Sequence, residues 1–464
     1  MSWRLIGGSW RMFGIVATAV ALVMLVGSLA VASARSTAPG RTAVWQAAMA
    51  GSQFARPHDP TSDQIRSPNR TVRQLFKLST DSRSIRVRFS NYFGKTPLTI
   101  QQAWAGNPVA SSSARLVSGS NVRMTFGRRG SVKIPPGEHA WSDPVDIRVR
   151  AGDQVALSIY APGSPVSGKN NLFPYAYDVA GMYISTPGNH ARDSGAGAFP
   201  ALDVISEPKT YQVAAYFPGQ VWWTDVVAAR TNSIGTVVAV GDSITDGFDA
   251  VGPPGQRWTD VLATRLNALP AAKRLSVSNA AISGNTVSNQ LNPYEPSPPF
   301  CCGLPAVKRL WRDALSVPGV AAIVLLEGTN DIGGSIPGKC CDVPPSPPGQ
   351  VKAAMRDIVK RAHSRSVPVI GATLIPMGMP LQSVQEKNRQ AVNAWIRGSG
   401  VFDEVIDFDA MVRDPKAPWQ IYEAWKAPAW DGTSYHPNAI GQTVMGQGIN
   451  LEVFKAVRSA RSTR

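Results

Sequence analysis

Two periodicities divide the chain. From residue 45 to about 220, short runs alternate apolar and polar positions or are rich in β-branched residues: RSIRVRFSNYF, TPLTIQQAWA, NVRMTF, SVKIPP, VDIRVR and DQVALSIYAPG. Gly, Pro, Asn and Asp separate them at roughly ten-residue spacing. Successive side chains of a strand face opposite ways, so these runs predict an antiparallel β-sandwich-like domain over 45–230. The pattern changes after Trp222-Trp223 and the polar stretch ARTNSIG, which sets a boundary near 231. TVVAV (236–240), LSVSNAAI, VAAIVLLE (320–327), VPVIGATLI (367–375) and VIDF (405–408) are apolar runs of strand length. Between them lie QRWTDVLATRLNAL, VKAAMRDIVKRAH and EKNRQAVNAWIRG, all with helical spacing. Strands apolar on both faces that alternate with helices predict an α/β domain over 231–464, a parallel sheet covered by helices on either side. In such a sheet the chemistry belongs at the carboxyl ends of the strands.

The first 34 residues fit neither pattern. Arg4 and Arg11 precede an apolar run from Met12 to Val31, and Ala32-Ser33-Ala34 offers a small-x-small cleavage site. That order describes a secretory signal over 1–34 and an exported mature chain. The run is also long enough to span a bilayer, so a retained anchor is the alternative, and only then is a membrane a partner. Export changes how the cysteines read. Cys301-Cys302 and Cys340-Cys341 sit in the proline-rich stretches PYEPSPPFCCGLP and PGKCCDVPPSPPG, and in an oxidising compartment disulfides are the default. Two bridges between the pairs are expected. An adjacent-residue ring and a four-thiolate zinc site are the alternatives, although the spacing lacks the usual C-x2-C form.

Charge narrows the partners. The 464 residues carry 47 Lys+Arg against 31 Asp+Glu, a net +16. The excess concentrates in residues 35–230, with 22 basic against 12 acidic, and shrinks to 23 against 19 in 231–464. Arg83, Arg86, Arg88, Arg123, Arg128 and Arg129 are scattered, and no nucleic-acid motif accompanies them, so the reading is a solvated basic surface without a nucleic-acid partner. With 44% hydrophobic and 17% charged residues the chain is not a disordered one.

Four short blocks fall at strand ends. GDSITDG follows TVVAV and puts Ser243 where a helix N-terminus can stabilise a developing anion, although an isolated serine there is equally an N-cap. No G-x-S-x-G elbow occurs at a strand end. NAAISGN offers Gly284, which lets the backbone approach closely and aim an N–H, or simply turns the chain. EGTND offers Asn330, whose amide can donate to an oxyanion or close an Asx turn. DGTSYHPN, ahead of the last helix, holds His436, and imidazole titrates in the range that a general base needs.

In order and spacing these blocks, with Ser243, Gly284, Asn330 and His436, resemble those of the SGNH (GDSL) hydrolase superfamily. RWTDVLATRL, NRQAVNAWIR, DFDAMVRDP and the leading TVRQLFKLSTDSRSIRVRFSNYFG are similar to its XynE-like branch of secreted esterases, so the likeness extends over most of the mature chain. The resemblance implies a flavodoxin-like three-layer parallel sheet behind the β domain. It also implies Ser243 as nucleophile and His436 as base, with an oxyanion hole from the N–H groups of Ser243 and Gly284 and the Asn330 amide. No metal or cofactor is implied.

One position departs from the pattern. The family's orienting acid lies three residues before the histidine, where this chain has Thr433; the nearest carboxylate, Asp431, is the expected third member, with a backbone carbonyl as alternative. Asp407 and Asp409 are expected to be structural. The implied activity is that of a secreted, periplasmic or envelope-located serine esterase that removes acetyl or other short acyl groups from a carbohydrate. A lipase, arylesterase or thioesterase of broader acyl range is the alternative enzyme. A non-catalytic envelope-binding protein, with the β half doing the work, is the alternative of another class. Trp104, Trp141, Trp222 and Trp223 permit sugar stacking, with core packing the expected role.

Overall fold

A computed structural model describes residues 41–46, 48, 69–92, 94, 96–111, 113–163, 182–200, 224–248, 256–288, 303–333, 345–428 and 435–462. The segment expected to be a signal, Trp222, Trp223, all four cysteines and Asp431 lie outside these residues.

Among the described residues, twelve strands precede the change of pattern. They are β1 (Thr42–Gln46), β2 (Arg70–Lys77), β3 (Ser82–Ser90), β4 (Leu98–Ile100), β5 (Gln102–Gly106) and β6 (Val122–Arg123), then β7 (Val132–Ile134), β8 (His139–Trp141), β9 (Val145–Val149), β10 (Gln154–Tyr160), β11 (Met182–Pro187) and β12 (Thr224–Arg230). One antiparallel sheet runs β1-β12-β3-β8, with β9 also on β3, and the other runs β11-β2-β10-β5-β6. The alternation seen in the sequence decides what lies between them. Ile85, Val87 and Phe89 of β3 meet Val72 and Phe76 of β2 and Val155, Leu157 and Ile159 of β10 in one buried cluster. This is the sandwich-like arrangement that the spacing predicts.

Five parallel strands follow: β13 (Thr236–Gly241), β14 (Ser276–Asn279), β15 (Val320–Leu326), β16 (Val369–Ala372) and β17 (Glu404–Ile406). Their order is β14-β13-β15-β16-β17, the flavodoxin-like order, and the strand order reverses at β13. Val238 and Val240 face one apolar layer, shared with Met355 and Ile358 of the helix Pro348–His363 and Val392 and Ile396 of the helix Val384–Gly398. Val237 and Ala239 face the other, shared with Trp258, Leu262 and Leu266 of the helix Trp258–Asn267 and Met445 of the helix Ala439–Gly448. Helices thus cover both faces, the fold class expected. The helix Pro348–His363 forms because Val351, Met355, Ile358, Val359 and Ala362 repeat on one stripe, with Pro348 at its start, where a missing N–H costs nothing.

The described residues belong to one compact unit that begins at Gly40. Strand β1 serves both sheet systems. Trp45 packs edge-on against Phe76 at 4.3 Å in the sandwich, while Ala43 is buried in the core of the parallel sheet. The Gln46 amide donates to the Asp313 carbonyl at 2.6 Å and accepts from the Ser278 hydroxyl at 3.0 Å. Trp141 also packs against the α/β core, and Trp104 is half-buried on β5. Asp407 caps the helix Phe408–Val412 and binds Arg397, and Asp409 binds both Arg397 and the buried Arg389.

Candidate active site

The run TVVAV gives a fully buried strand, and Gly241 ends it where no side chain fits. A Cβ there would stand 2.3 Å from the Thr245 hydroxyl and 2.9 Å from the Leu326 carbonyl. The chain then turns at once into a short helix, Ser243–Asp246, capped by Asp242, whose carboxylate accepts from the Ile244 N–H at 3.0 Å. Ser243 is therefore held at the carboxyl edge of the central strand, at the point where the strand order reverses.

The other blocks are stitched to this turn by polar side chains. Asn279, at the end of β14, donates to the Thr245 carbonyl at 2.7 Å; Ser283 donates to Asp246 at 2.8 Å; the Ile282 N–H reaches the Gly241 carbonyl at 2.9 Å. Gly284 sits at φ +76°, in the left-handed region that glycine adopts without strain. From the end of β15, the Asn330 amide donates to the Asn285 carbonyl at 2.9 Å, which leaves its second N–H for other use. Next to it the buried Asp331 carboxylate accepts from the N–H groups of Val287 and Ser288, at 2.8 and 3.0 Å. Burial pushes Asp331 above its usual range in spite of these bonds.

His436 closes the arrangement. Its Nε2 lies 2.9 Å from the Ser243 Oγ, and both residues are 7% exposed. The rings of Phe248 and Tyr435 flank the imidazole, with centroids 4.8 and 4.6 Å away. Gln442, on the helix that follows, donates to the Ile244 carbonyl at 2.8 Å and accepts from the Trp258 N–H at 2.9 Å, so that helix is tied to the turn that carries Ser243. A serine hydroxyl bonded to an imidazole can lose its proton while it attacks an electrophilic carbon. The structure thus brings Ser243 and His436 into contact and binds the Gly284 and Asn330 loops to each other.

Beneath these loops lies a charged group that the motifs do not contain. Arg309 is fully buried and bonded to Glu327, at the end of β15, and to Asp313, at 3.2 and 3.3 Å. Burial, and then the neighbouring Asp242, push Glu327 well above the usual glutamate range, against the pull of Arg309. Burial also pushes Asp242 up, to about 6. A signal for Arg309 exists in the sequence. Ala306, Arg309, Leu310, Asp313 and Ala314 are buried at helical spacing, so two charges of opposite sign stand on an apolar stripe.

With this geometry in hand, residues 239–444 match the model of the GDSL-like Lipase/Acylhydrolase family. Those residues form an SGNH (GDSL) hydrolase domain. The protein is accordingly a carboxylic ester hydrolase. Solved structures similar to the hydrolase domain share little sequence. A G-D-S-L family protein from Desulfitobacterium hafniense is 18% identical, with a TM-score of 0.33, over 46% of this chain and 97% of its own. A GDSL-like lipase from Bacteroides thetaiotaomicron is 18% identical, with a TM-score of 0.33, over 48% of this chain and 89% of its own. An acetylxylan esterase from Geobacillus stearothermophilus is 18% identical, with a TM-score of 0.35, over 48% of this chain and 94% of its own. No curated protein matches the chain in sequence.

Proposed function

We propose that the protein is an exported serine esterase that cleaves acetyl or other short acyl groups from a carbohydrate through an acyl-enzyme. The chief support is the 2.9 Å contact between the Ser243 Oγ and the His436 Nε2 at the edge of the central strand. The hydroxyl attacks the ester carbonyl while the imidazole takes its proton; the imidazolium then gives that proton to the leaving alcohol. Water repeats the sequence on the acyl-enzyme and frees the acid. The N–H groups of Ser243 and Gly284 and the free N–H of the Asn330 amide receive the oxyanion. Asp431 is the group we assign to orient His436.

The sugar comes from the likeness to XynE-like esterases, and export from the N-terminal segment with Arg4, Arg11 and Ala32-Ser33-Ala34. The cysteine pairs, bridged to each other, would stiffen the insertions that follow the Gly284 and Asn330 loops and restrict which esters enter. The deciding experiment is an acetate-release screen over acetylated polysaccharides, run beside nitrophenyl esters of rising chain length. Acetate released from a polysaccharide, with turnover falling as the acyl chain lengthens, is expected; preference for long chains would make the protein a lipase instead. Ser243→Ala and His436→Ala should abolish turnover, and Asp431→Ala should impair it strongly. Near-normal kinetics for Asp431→Ala would remove that residue from the site.

A further inference from the structure

A guanidinium has five N–H donors, and every one of those on Arg309 has an acceptor. The Nε donates to the Asn285 side-chain oxygen at 2.9 Å. One terminal nitrogen donates to the Ala280 carbonyl and to Asp313, and the other to the Gly241 carbonyl at 3.3 Å and to Glu327 at 3.2 Å. The placement of these acceptors matters more than their number. Gly241 lies two residues before Ser243, Asn285 lies one after Gly284, and Glu327 lies three before Asn330. Each stands near one of the three groups assigned to the oxyanion hole: Gly241 ends β13, Asn285 lies in the segment that follows β14, and Glu327 directly follows β15.

Burying a cation is costly unless its surroundings compensate, and here a single carboxylate partner would suffice for charge alone. Asp313, which Arg312 also binds, and Glu327 are the carboxyl partners that supply it. The bonds to Gly241, Ala280 and Asn285 are extra to charge balance. They use the planar fork of arginine, which a lysine ammonium cannot reproduce. The three oxyanion donors, moreover, depend on backbone placement, since small displacements of preorganised groups cost large factors in rate.

We propose that Arg309 is a positioning residue of the hydrolase site, a buried fork that sets the spacing of the Ser243, Gly284 and Asn330 donors by binding the end of β13 and the segments after β14 and β15 that carry them. This rests on the oxyanion hole proposed above. Loss of the fork, with the charge retained, leaves substrate binding in place and weakens stabilisation of the transition state. Such a change lowers kcat and kcat/KM together.

Arg309→Lys tests this, with Asn285→Ala as a second variant that removes the acceptor of the Nε. Nitrophenyl acetate kinetics are normalised to the sites titrated by a fluorophosphonate. Per titrated site, kcat is expected to fall about 10- to 100-fold in Arg309→Lys and about 10-fold in Asn285→Ala, with KM within about twofold of the parent. Affinity for a boronic acid that mimics the tetrahedral intermediate should fall in parallel. A purely structural role would lower the number of titratable sites and leave kcat per site unchanged, which would overturn the proposal, as would a raised KM at unchanged kcat. Should Arg309→Lys not fold, Asn285→Ala decides by the same criteria. If the parent enzyme hydrolyses esters and labels at Ser243 but both variants match it, the positioning role alone falls. An inert, unlabelled parent overturns the esterase reading and this inference with it.

Discussion

Asp242 stands beside Ser243 and is fully buried, and burial pushes its pKa up to about 6 from 3.8. A carboxyl that holds its proton more tightly when folded favours the folded state at low pH. Its contribution is fully present below the unfolded value and is lost as pH rises through the folded one. A shift of about 2 units corresponds to roughly 3 kcal/mol. Asp242→Asn keeps an acceptor for the Ile244 N–H and removes the charge. It should therefore be about 1–3 kcal/mol more stable than the parent near pH 8 and equal to it near pH 4, read by urea unfolding at both pH values. A gain of the same size at both would place its origin elsewhere than in ionisation. At this scale Ser243, Gly284, Asn330 and His436 are legible in the sequence because each lies in a short block tied to a strand end. Arg309 is legible only as a charge on an apolar stripe, and Gln442 not at all, because their partners are backbone and side-chain groups brought together only by the fold.

Among the elements, those with long, clean periodicity are legible: β3, β10, β13, β15 and the helices Trp258–Asn267, Pro348–His363 and Val384–Gly398 all coincide with runs marked by sequence. The stretch NVRMTF yields only the two-residue β6, for its alternation is too short to outweigh the turns around it. The helix Ala306–Leu310, continued by a π turn over Trp311–Leu315, is hidden by the charges on its buried stripe. Strand β1 is not among the marked runs either, since all five of its residues are buried and no alternation remains. Part of its hold on the α/β core runs through Gln46. Gln46→Ala would leave the Asp313 carbonyl and the Ser278 hydroxyl short of a partner in the interior. It should cost about 1–3 kcal/mol of stability, seen as a lower midpoint of thermal unfolding, with kcat per titrated site unchanged. An unchanged midpoint would mean that β1 is held by its pairing with β12 and by Ala43 without help from Gln46.

For the molecule as a whole, the composition foretells two kinds of layer, and the described residues show both within one compact unit. The contacts between them are specific. Thr236, the first residue of β13, accepts from the Ala43 N–H at 3.0 Å, and Trp141 of the β half packs against the α/β core. Residues 231–464 produced alone would expose these surfaces and leave Thr236 without that donor. Such a fragment is expected to be poorly soluble, or to unfold well below the chain that begins at Gly40, by calorimetry of the two. Equal midpoints would make the β half a detachable accessory. Sequence could not foretell the joint, because each of its contacts links residues about 200 positions apart and leaves no local pattern.

That joint also constrains the order of events during folding. Thr42 pairs with Ala229, and β1 then meets β13 and β14. Closing so long a loop is entropically slow, and contacts between distant positions dominate the barrier in such topologies. The opening strand of the described chain therefore finds all its neighbours only once β12, β13 and β14 have been made.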